Sequence, residues 1–363
     1  MAHTSSLLDF YKNRRVLITG NTGFKGAWLS LWLQKMGAQV YGISLDVPSN
    51  PSLFERAGLK GSMPTTFLDI NDYSKLKAAF DEAQPEFLFH LAAQSLVRPS
   101  YDEPLKTFAT NTMGTAHILE CCRNPNSLKS VLVVTSDKCY QNTESGKPFS
   151  ENDPMGGDDP YSASKGAAEI VFHSYFKSFF QKSNSPAISS VRAGNVIGGG
   201  DWAVDRIIPD AIRAWGSQQK LEIRSPNSIR PWQHVLEPLY GYLLTAKTLV
   251  EQKSLSGESY NFGPGRENEK TVLELISKLS EHCSFSEGWD INTHQKSDKK
   301  EAQVLRLNSE KAKSQLKWKN HLDFSETLAW TGQWYSETKQ KPEQLRALTL
   351  KQIEDFEAKI NKD

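Results

Sequence analysis

Tyr161 and Lys165 stand four residues apart in Tyr161-Ser162-Ala163-Ser164-Lys165. On a helix that spacing puts both side chains on one face. An ammonium beside a phenol favours the phenolate and draws its pKa down from ~10. Tyr161 then becomes a usable base near neutral pH. Upstream, Thr135-Ser136-Asp137-Lys138 closes an apolar, β-branched run that reads as a central strand. Open α/β sheets place their ligands at that end of a strand, and Ser136 there offers a hydroxyl to hydrogen-bond a reacting alcohol.

A second constellation is Gly20-Asn21-Thr22-Gly23-Phe24-Lys25-Gly26, a GxxGxxG turn. It differs from the GxGxxG dinucleotide fingerprint but shares its physics. Glycine permits a tight turn and close backbone approach, and the following helix offers free N–H groups to a diphosphate. Asp46 lies 26 residues beyond Gly20, where a carboxylate can accept from an adenosine ribose. No Lys or Arg falls in 44–51 to meet a 2′-phosphate, so NAD is expected rather than NADP. Ser44 is the other candidate for the ribose. Asp69 and Ile70 read either as an adenine edge or as a carboxylate opening the next helix.

The elements that must position these residues alternate. Residues 16–19 read as a strand, 27–33 as a helix ended by Gly37, and 39–45 as the next strand, a βαβ unit. Strands follow at 66–68, 86–91, 130–135 and 187–192. Helices are expected at 72–83, capped by Asp72 or Asn71, and at 108–122 and 161–180. The expected fold is α/β, a Rossmann-like doubly wound parallel sheet. Beyond Asn195 the rhythm breaks into shorter pieces: helices at 207–215, 237–250 and 269–282, strands at 221–223 and 259–262. We read these as a smaller, discontinuous α/β substrate-binding domain. The division is 1–195 for the dinucleotide domain, with returns near 228–263. The substrate domain takes 196–227 and 264–334, and 335–363 forms a helical tail. Trp28 and Trp32, beside Leu29 and Leu33, read as core. The charge run Lys296-Ser297-Asp298-Lys299-Lys300 reads as a solvated loop.

Composition excludes other classes. The 363 residues carry 43 Lys+Arg against 42 Asp+Glu, so bulk charge points to neither nucleic acid nor an anionic membrane. Seventeen Phe, 11 Tyr and 9 Trp supply core material and argue against disorder. No run reaches the ~20 apolar residues of a membrane span, and no leader pattern opens the chain, so a cytoplasmic location is expected. Cys121, Cys122, Cys139 and Cys283 form no CxxC pair and read as buried thiols in a reducing compartment. The eight His show no metal-ligand spacing, and no metal is expected.

The chain resembles the extended short-chain dehydrogenase/reductases, and within them the sugar-nucleotide 4,6-dehydratases, over roughly residues 10–335. The glycine turn, His90-Leu91-Ala92-Ala93-Gln94, Asn111-Thr112-Met113-Gly114-Thr115 and the Ser/Tyr/Lys triad carry the likeness. Gly23-Phe24-Lys25-Gly26-Ala27-Trp28, Thr135-Ser136-Asp137-Lys138, Arg192 to Trp202, 227–235 and the tail near 347–356 resemble the CDP-glucose branch. TDP-glucose relatives carry Asp-Glu where this chain has Asp137-Lys138, and the CDP-glucose branch has Lys there.

The resemblance implies a reaction. Tyr161 takes the C4 hydroxyl proton while hydride passes to NAD; Ser136 orients that hydroxyl, and Lys165 tunes Tyr161 and holds the nicotinamide ribose. The 4-ketone acidifies the C5 proton. Lys138 removes it, which requires a neutral amine, or else only stabilises the enolate; Asp137 protonates the departing C6 hydroxyl. Hydride returns to C6 and C5 is reprotonated, leaving a 4-keto-6-deoxy sugar nucleotide with no net redox change. The resemblance also implies cofactor contacts from Phe24, Lys25, Leu91, Ala92, Ala93, Gln94, Thr110 and Thr135. Substrate contacts are implied from Ser95, Arg98, Asn195, Arg206 and Arg230, with Arg230 and Arg206 pairing phosphate through bidentate guanidinium or forming surface ion pairs. A homodimer or homotetramer paired through 108–122 and 161–180 is implied too. An epimerase or reductase on this scaffold is the alternative; an epimerase has no use for Asp137-Lys138. A non-enzymatic cofactor-binding regulator would be expected to lose Tyr161 or Lys165, and both are present.

Overall fold

The computed structural model describes residues 7–123, 127–292 and 305–362; the Lys296–Lys300 charge run lies outside them. Seven parallel strands form one sheet: β1 Arg15–Thr19, β2 Gln39–Ser44, β3 Thr65–Phe67, β4 Phe87–His90, β5 Ser130–Val134, β6 Ala187–Ala193 and β7 Ser259–Phe262. The order is β7-β6-β5-β4-β1-β2-β3. Strand runs such as Val131-Leu132-Val133 are buried throughout, because a parallel sheet is covered on both faces. Alternate residues feed two separate cores. Val16, Ile18 and Leu132 join one; Leu17, Val131 and Val133 join the other, as the strand period of two requires.

Nine helices carry the argument. They are α1 Phe24–Lys35, α2 Tyr73–Ala83, α3 Gly114–Cys121, α4 Pro160–Tyr175 and α5 Ile207–Gly216, then α6 Leu236–Glu251, α7 Val272–His282, α8 Phe324–Gln340 and α9 Leu345–Ile360. Asp72 caps α2 by accepting from the Lys75 N–H at 3.2 Å. Trp28 and Trp32 on α1 are fully buried, as expected of core.

The structure departs from the sequence reading in places. The helix expected at 108–122 begins at Pro104 and passes through a π-turn at Ala109–Met113 before α3. The helix expected at 161–180 ends in a second π-turn, Phe176–Phe180. Glu269–Thr271, read as helix, pairs antiparallel with Ile229–Pro231, and only then does α7 start, capped by Thr271 and Glu274. The boundary expected at 334/335 falls inside α8. Trp334 and Tyr335 are buried there. The last helix packs back on α1: Glu357 accepts from Trp32 Nε1 at 2.8 Å and from Lys35 Nζ at 2.7 Å.

Candidate active site

β1 and β4 are neighbours whose chains leave the sheet in opposite directions, the switch point at which open α/β sheets bind ligands. A cavity of about 940 Å³ opens there, and every site residue expected from the sequence lines it.

The glycine turn is shaped by contact. Gly20 holds φ +74°, and a Cβ on it would lie 2.8 Å from the Ala92 nitrogen; one on Gly26 would lie 2.1 Å from the Gly20 carbonyl oxygen. Only hydrogens fit at those two positions. No side chain caps α1 at Gly23, so its first-turn N–H groups are left for an anion. Thr22 Oγ1 donates to the Asp46 carbonyl at 2.6 Å, tying the turn to the end of β2. Ser44 Oγ donates to Asn21 Oδ1 at 2.7 Å and accepts from the Thr22 N–H. Its hydroxyl is therefore committed, which leaves the exposed Asp46 carboxylate as the ribose candidate. Asp69 accepts from the backbone and side chain of Asn71, a local turn role. Ile70 packs where a Cβ on Gly114 would strike it. This cradle and cavity fit a dinucleotide.

Beneath the Leu91–Gln94 loop, His90 Nδ1 meets Thr19 Oγ1 at 2.7 Å and Nε2 meets Thr115 Oγ1 at 3.3 Å. Thr115 itself donates to the Asn111 carbonyl, so the network assigns the ring proton to Nε2. Burial, with Lys165 nearby, pushes His90 down to about 3, and it stays neutral. Asn111 clamps Gln94 through both backbone groups, at 2.8 and 2.9 Å, and donates to Ser164 Oγ at 2.9 Å. The Gln94 side chain is spent on Leu96 and Thr107. Asn111 belongs to a motif that carried the resemblance, yet nothing in the spacing marked it as the peg between this loop and α4.

At the end of β5, Ser136 Oγ donates to Asp137 Oδ1 at 3.0 Å and accepts from the Lys138 N–H at 3.2 Å. The expected fall in the Tyr161 pKa is not what this site produces. Burial pushes the phenol up to about 12; the Ser136 hydroxyl and the Arg206 charge pull it down, and Asp137 adds to the rise. Lys165 Nζ turns to the Val134 carbonyl at 3.4 Å, and burial lowers it to about 8. Arg206 is a cation that acts on Tyr161.

Behind this face lies a polar core that sequence reasoning missed. Glu169, on α4 one turn after Lys165, accepts from Arg192 Nε and Nη2 at 2.8 Å each, from Ser190 and from the Thr135 hydroxyl. The Thr135 hydroxyl is thus committed to Glu169. Burial alone would raise Glu169, but Arg192 and the two hydroxyls hold it below the usual carboxylate range. Arg192 also donates to Tyr140 OH at 2.6 Å.

On the substrate side, Asn195 takes left-handed backbone at φ 52°. Arg206 pairs with buried Asp201 at 3.1 Å, and Arg98 with Asp205 at 2.9 Å. Arg230 donates to its neighbour Ile229 carbonyl while lining the cavity. Asp201 and Asp205 were not singled out from the sequence, because which arginine each meets is decided by the loop's path.

A family model described as GDP-mannose 4,6 dehydratase matches residues 17–331. The chain belongs to that family. The match ends before Trp334 and Tyr335. A CDP-glucose 4,6-dehydratase of Salmonella typhimurium LT2 is 46% identical over 331 residues, covering 90% of this chain and 92% of that one. Two solved structures share the fold. The dTDP-glucose 4,6-dehydratase of Bacillus anthracis in complex with NAD has a TM-score of 0.72 at 21% identity, covering 90% and 97% of the two chains. The UDP-glucose-4-epimerase of Stenotrophomonas maltophila has 0.77 at 20% identity, covering 90% and 99%. Among the described residues of this chain no helix is long and apolar enough to cross a membrane.

Proposed function

We propose that this chain dehydrates CDP-glucose to CDP-4-keto-6-deoxyglucose with NAD as a recycled cofactor. The observation that carries the reading is the Asp137-Lys138 pair set beside Ser136 and Tyr161 in the cavity that also holds the glycine cradle. The 46% identity to a CDP-glucose 4,6-dehydratase supports the nucleotide. NAD, when bound, supplies the acceptor for the C4 hydride and gives the same hydride back at C6.

The chain's residues do the rest. Gly20 and Gly26 admit the diphosphate, the open end of α1 donates to it, and Asp46 accepts from the adenosine ribose. Tyr161 receives the C4 hydroxyl proton, Ser136 orients that hydroxyl, and Lys165 and Arg206 supply positive charge near the phenolate. Lys138 takes the C5 proton made acidic by the ketone, Asp137 protonates the leaving C6 hydroxyl, and C5 regains a proton once the hydride has returned to C6. Arg206, Arg230, Arg98 and Asn195 receive the nucleotide diphosphate, with Ser95 beside them. The epimerase reading leaves Asp137-Lys138 without a task.

Leu105, Phe108 and Met113 on the 104–121 helical run, and Ile170 and Phe179 on α4 and its π-turn, are exposed apolar residues. They support pairing of subunits through these helices, as a homodimer or homotetramer. The four cysteines are buried and free, which supports a reducing, cytoplasmic location.

The test incubates purified protein with CDP-, TDP-, UDP- and GDP-glucose, with and without NAD, and weighs the products. Loss of one water from CDP-glucose alone, without stoichiometric NADH release, is expected. Water loss from a different nucleotide overturns the substrate, and no mass change overturns the reaction.

A further inference from the structure

The loop Gly198-Gly199-Gly200-Asp201 reaches the cavity with almost no side chains of its own. Gly200 sits at φ +81°, and three consecutive glycines give the segment the widest conformational freedom a chain can have. Its carbonyls are held instead from outside. Trp28 Nε1, on α1, donates to the Gly199 carbonyl at 2.8 Å. Tyr335 OH, on α8, donates to the Asp201 carbonyl at 2.6 Å and lies 3.4 Å from that of Gly198. The Trp334 ring occupies the space beside Gly199, where a Cβ would come within 2.1 Å of it. Trp334 is itself fixed to α9 by Nε1 donating to Thr349 Oγ1 at 2.9 Å. The Tyr335 ring stands edge-on to Trp202 at 5.3 Å.

What this loop delivers is Asp201. Its carboxylate is buried, accepts from the Ala203 N–H at 3.1 Å, and grips Arg206 Nη1 at 3.1 Å. Arg206 in turn lines the cavity, and its charge is felt by Tyr161 and Lys25.

We propose that Tyr335 is a positioning residue for substrate binding: its hydroxyl fixes the Asp201 backbone, and Asp201 aims Arg206 at the substrate's diphosphate. The inference rests on the nucleotide-sugar reading above. It makes the C-terminal helices part of the binding machinery, although neither α8 nor α9 supplies a side chain to the cavity lining. A single hydrogen-bonded link in a glycine loop is the weak point through which the tail acts.

The test compares the wild-type protein with Tyr335→Phe, which keeps the ring packing and removes the donor. Wild-type turnover of CDP-glucose is measured first; its absence sinks the functional reading and not this one. With turnover in hand, KM for CDP-glucose is expected to rise about ten-fold in Tyr335→Phe, the equivalent of one hydrogen bond. The affinity for NAD should stay within about two-fold. In an Arg206→Lys background the same change should cost nothing further, because both act on one contact. A purely structural tyrosine would lower Tm and the active fraction while leaving KM alone. An unchanged KM, or a full additional rise on top of Arg206→Lys, overturns the proposal. If Tyr335→Phe does not fold, Asp201→Asn carries the same comparison, since it keeps the side chain's shape and removes the charge that holds Arg206.

Discussion

A Cβ placed on Gly194 would lie 1.7 Å from Asp137 Oδ2. The backbone leaving β6 passes so close to the end of β5 that the buried Asp137 carboxylate fits only against a hydrogen. Gly194→Ala should therefore swing Asp137 out of place while the sheet survives. Water elimination is expected to fall by about 100-fold or more, the scale of a lost general acid, with NAD affinity nearly unchanged. Product mass and a binding titration check both halves.

Lys138 separates the redox step from the elimination. Lys138→Met leaves Ser136, Tyr161 and the cavity intact, so C4 oxidation should proceed and the C5 proton should stay. Reduced nicotinamide is expected to accumulate on the protein while water loss drops by about 100-fold or more. Absorbance of the reduced cofactor, followed alongside product mass, makes the distinction; full turnover would remove Lys138 from the chemistry.

Burial lowers Lys165 to about 8. Its ammonium is present below that pH and is lost as pH rises through it. The kcat/KM for NAD, which reports groups of the free protein, should bend downward on the alkaline side near 8. Lys165→Arg keeps its charge, so whatever activity it retains should lack that alkaline bend. A bend unchanged in the variant would assign it to another group, with Lys25, also lowered to about 8, as the next candidate.

Glu237, on α6, is fully buried, accepts from the backbone N–H groups of His321 and Leu322 at 2.8 and 2.7 Å, and leaves its other oxygen without a partner. Burial raises it from 4.5 to about 8. A raised carboxyl favours folding fully below its unfolded value and loses that contribution as pH climbs through the folded one. Tm should thus decline between 4.5 and about 8, and Glu237→Gln should flatten the decline by on the order of 5 °C. Thermal melts across that range decide it.

Leu105 is 85% exposed and Ile170 62%. If subunits pair through these helices, charging both positions buries an unpaired carboxylate in the contact. Leu105→Glu with Ile170→Glu should reduce the oligomer by sedimentation, with far-UV dichroism unchanged.

The βαβ rhythm was legible because continuous apolar runs and capped helices are local signals. Val131-Leu132-Val133 cannot be anything but buried, and Gly37 stops a helix wherever it sits. The glycine turn and Tyr161 to Lys165 were legible for the same reason: they lie within a few residues on one element, so spacing alone brings their side chains together. The π-turn at 109–113 and the strand at Glu269–Thr271 were not, because Asn111 is pulled toward Gln94 and Lys270 is paired with Arg230 by contacts far away in the chain.

The sequence by itself determined which residues could do the chemistry and the sheet that gathers them. Only the tertiary structure decided how they are charged and held. Tyr161 is raised, not lowered, because desolvation outweighs the hydroxyl and charge that oppose it. A cation that bears on it is Arg206, 45 residues away along the chain. Asp201 meets Arg206, and Tyr335 meets Asp201, through a loop of glycines whose path no local preference dictates. Electrostatics and burial are properties of space, and a sequence read in order measures only distance along the chain.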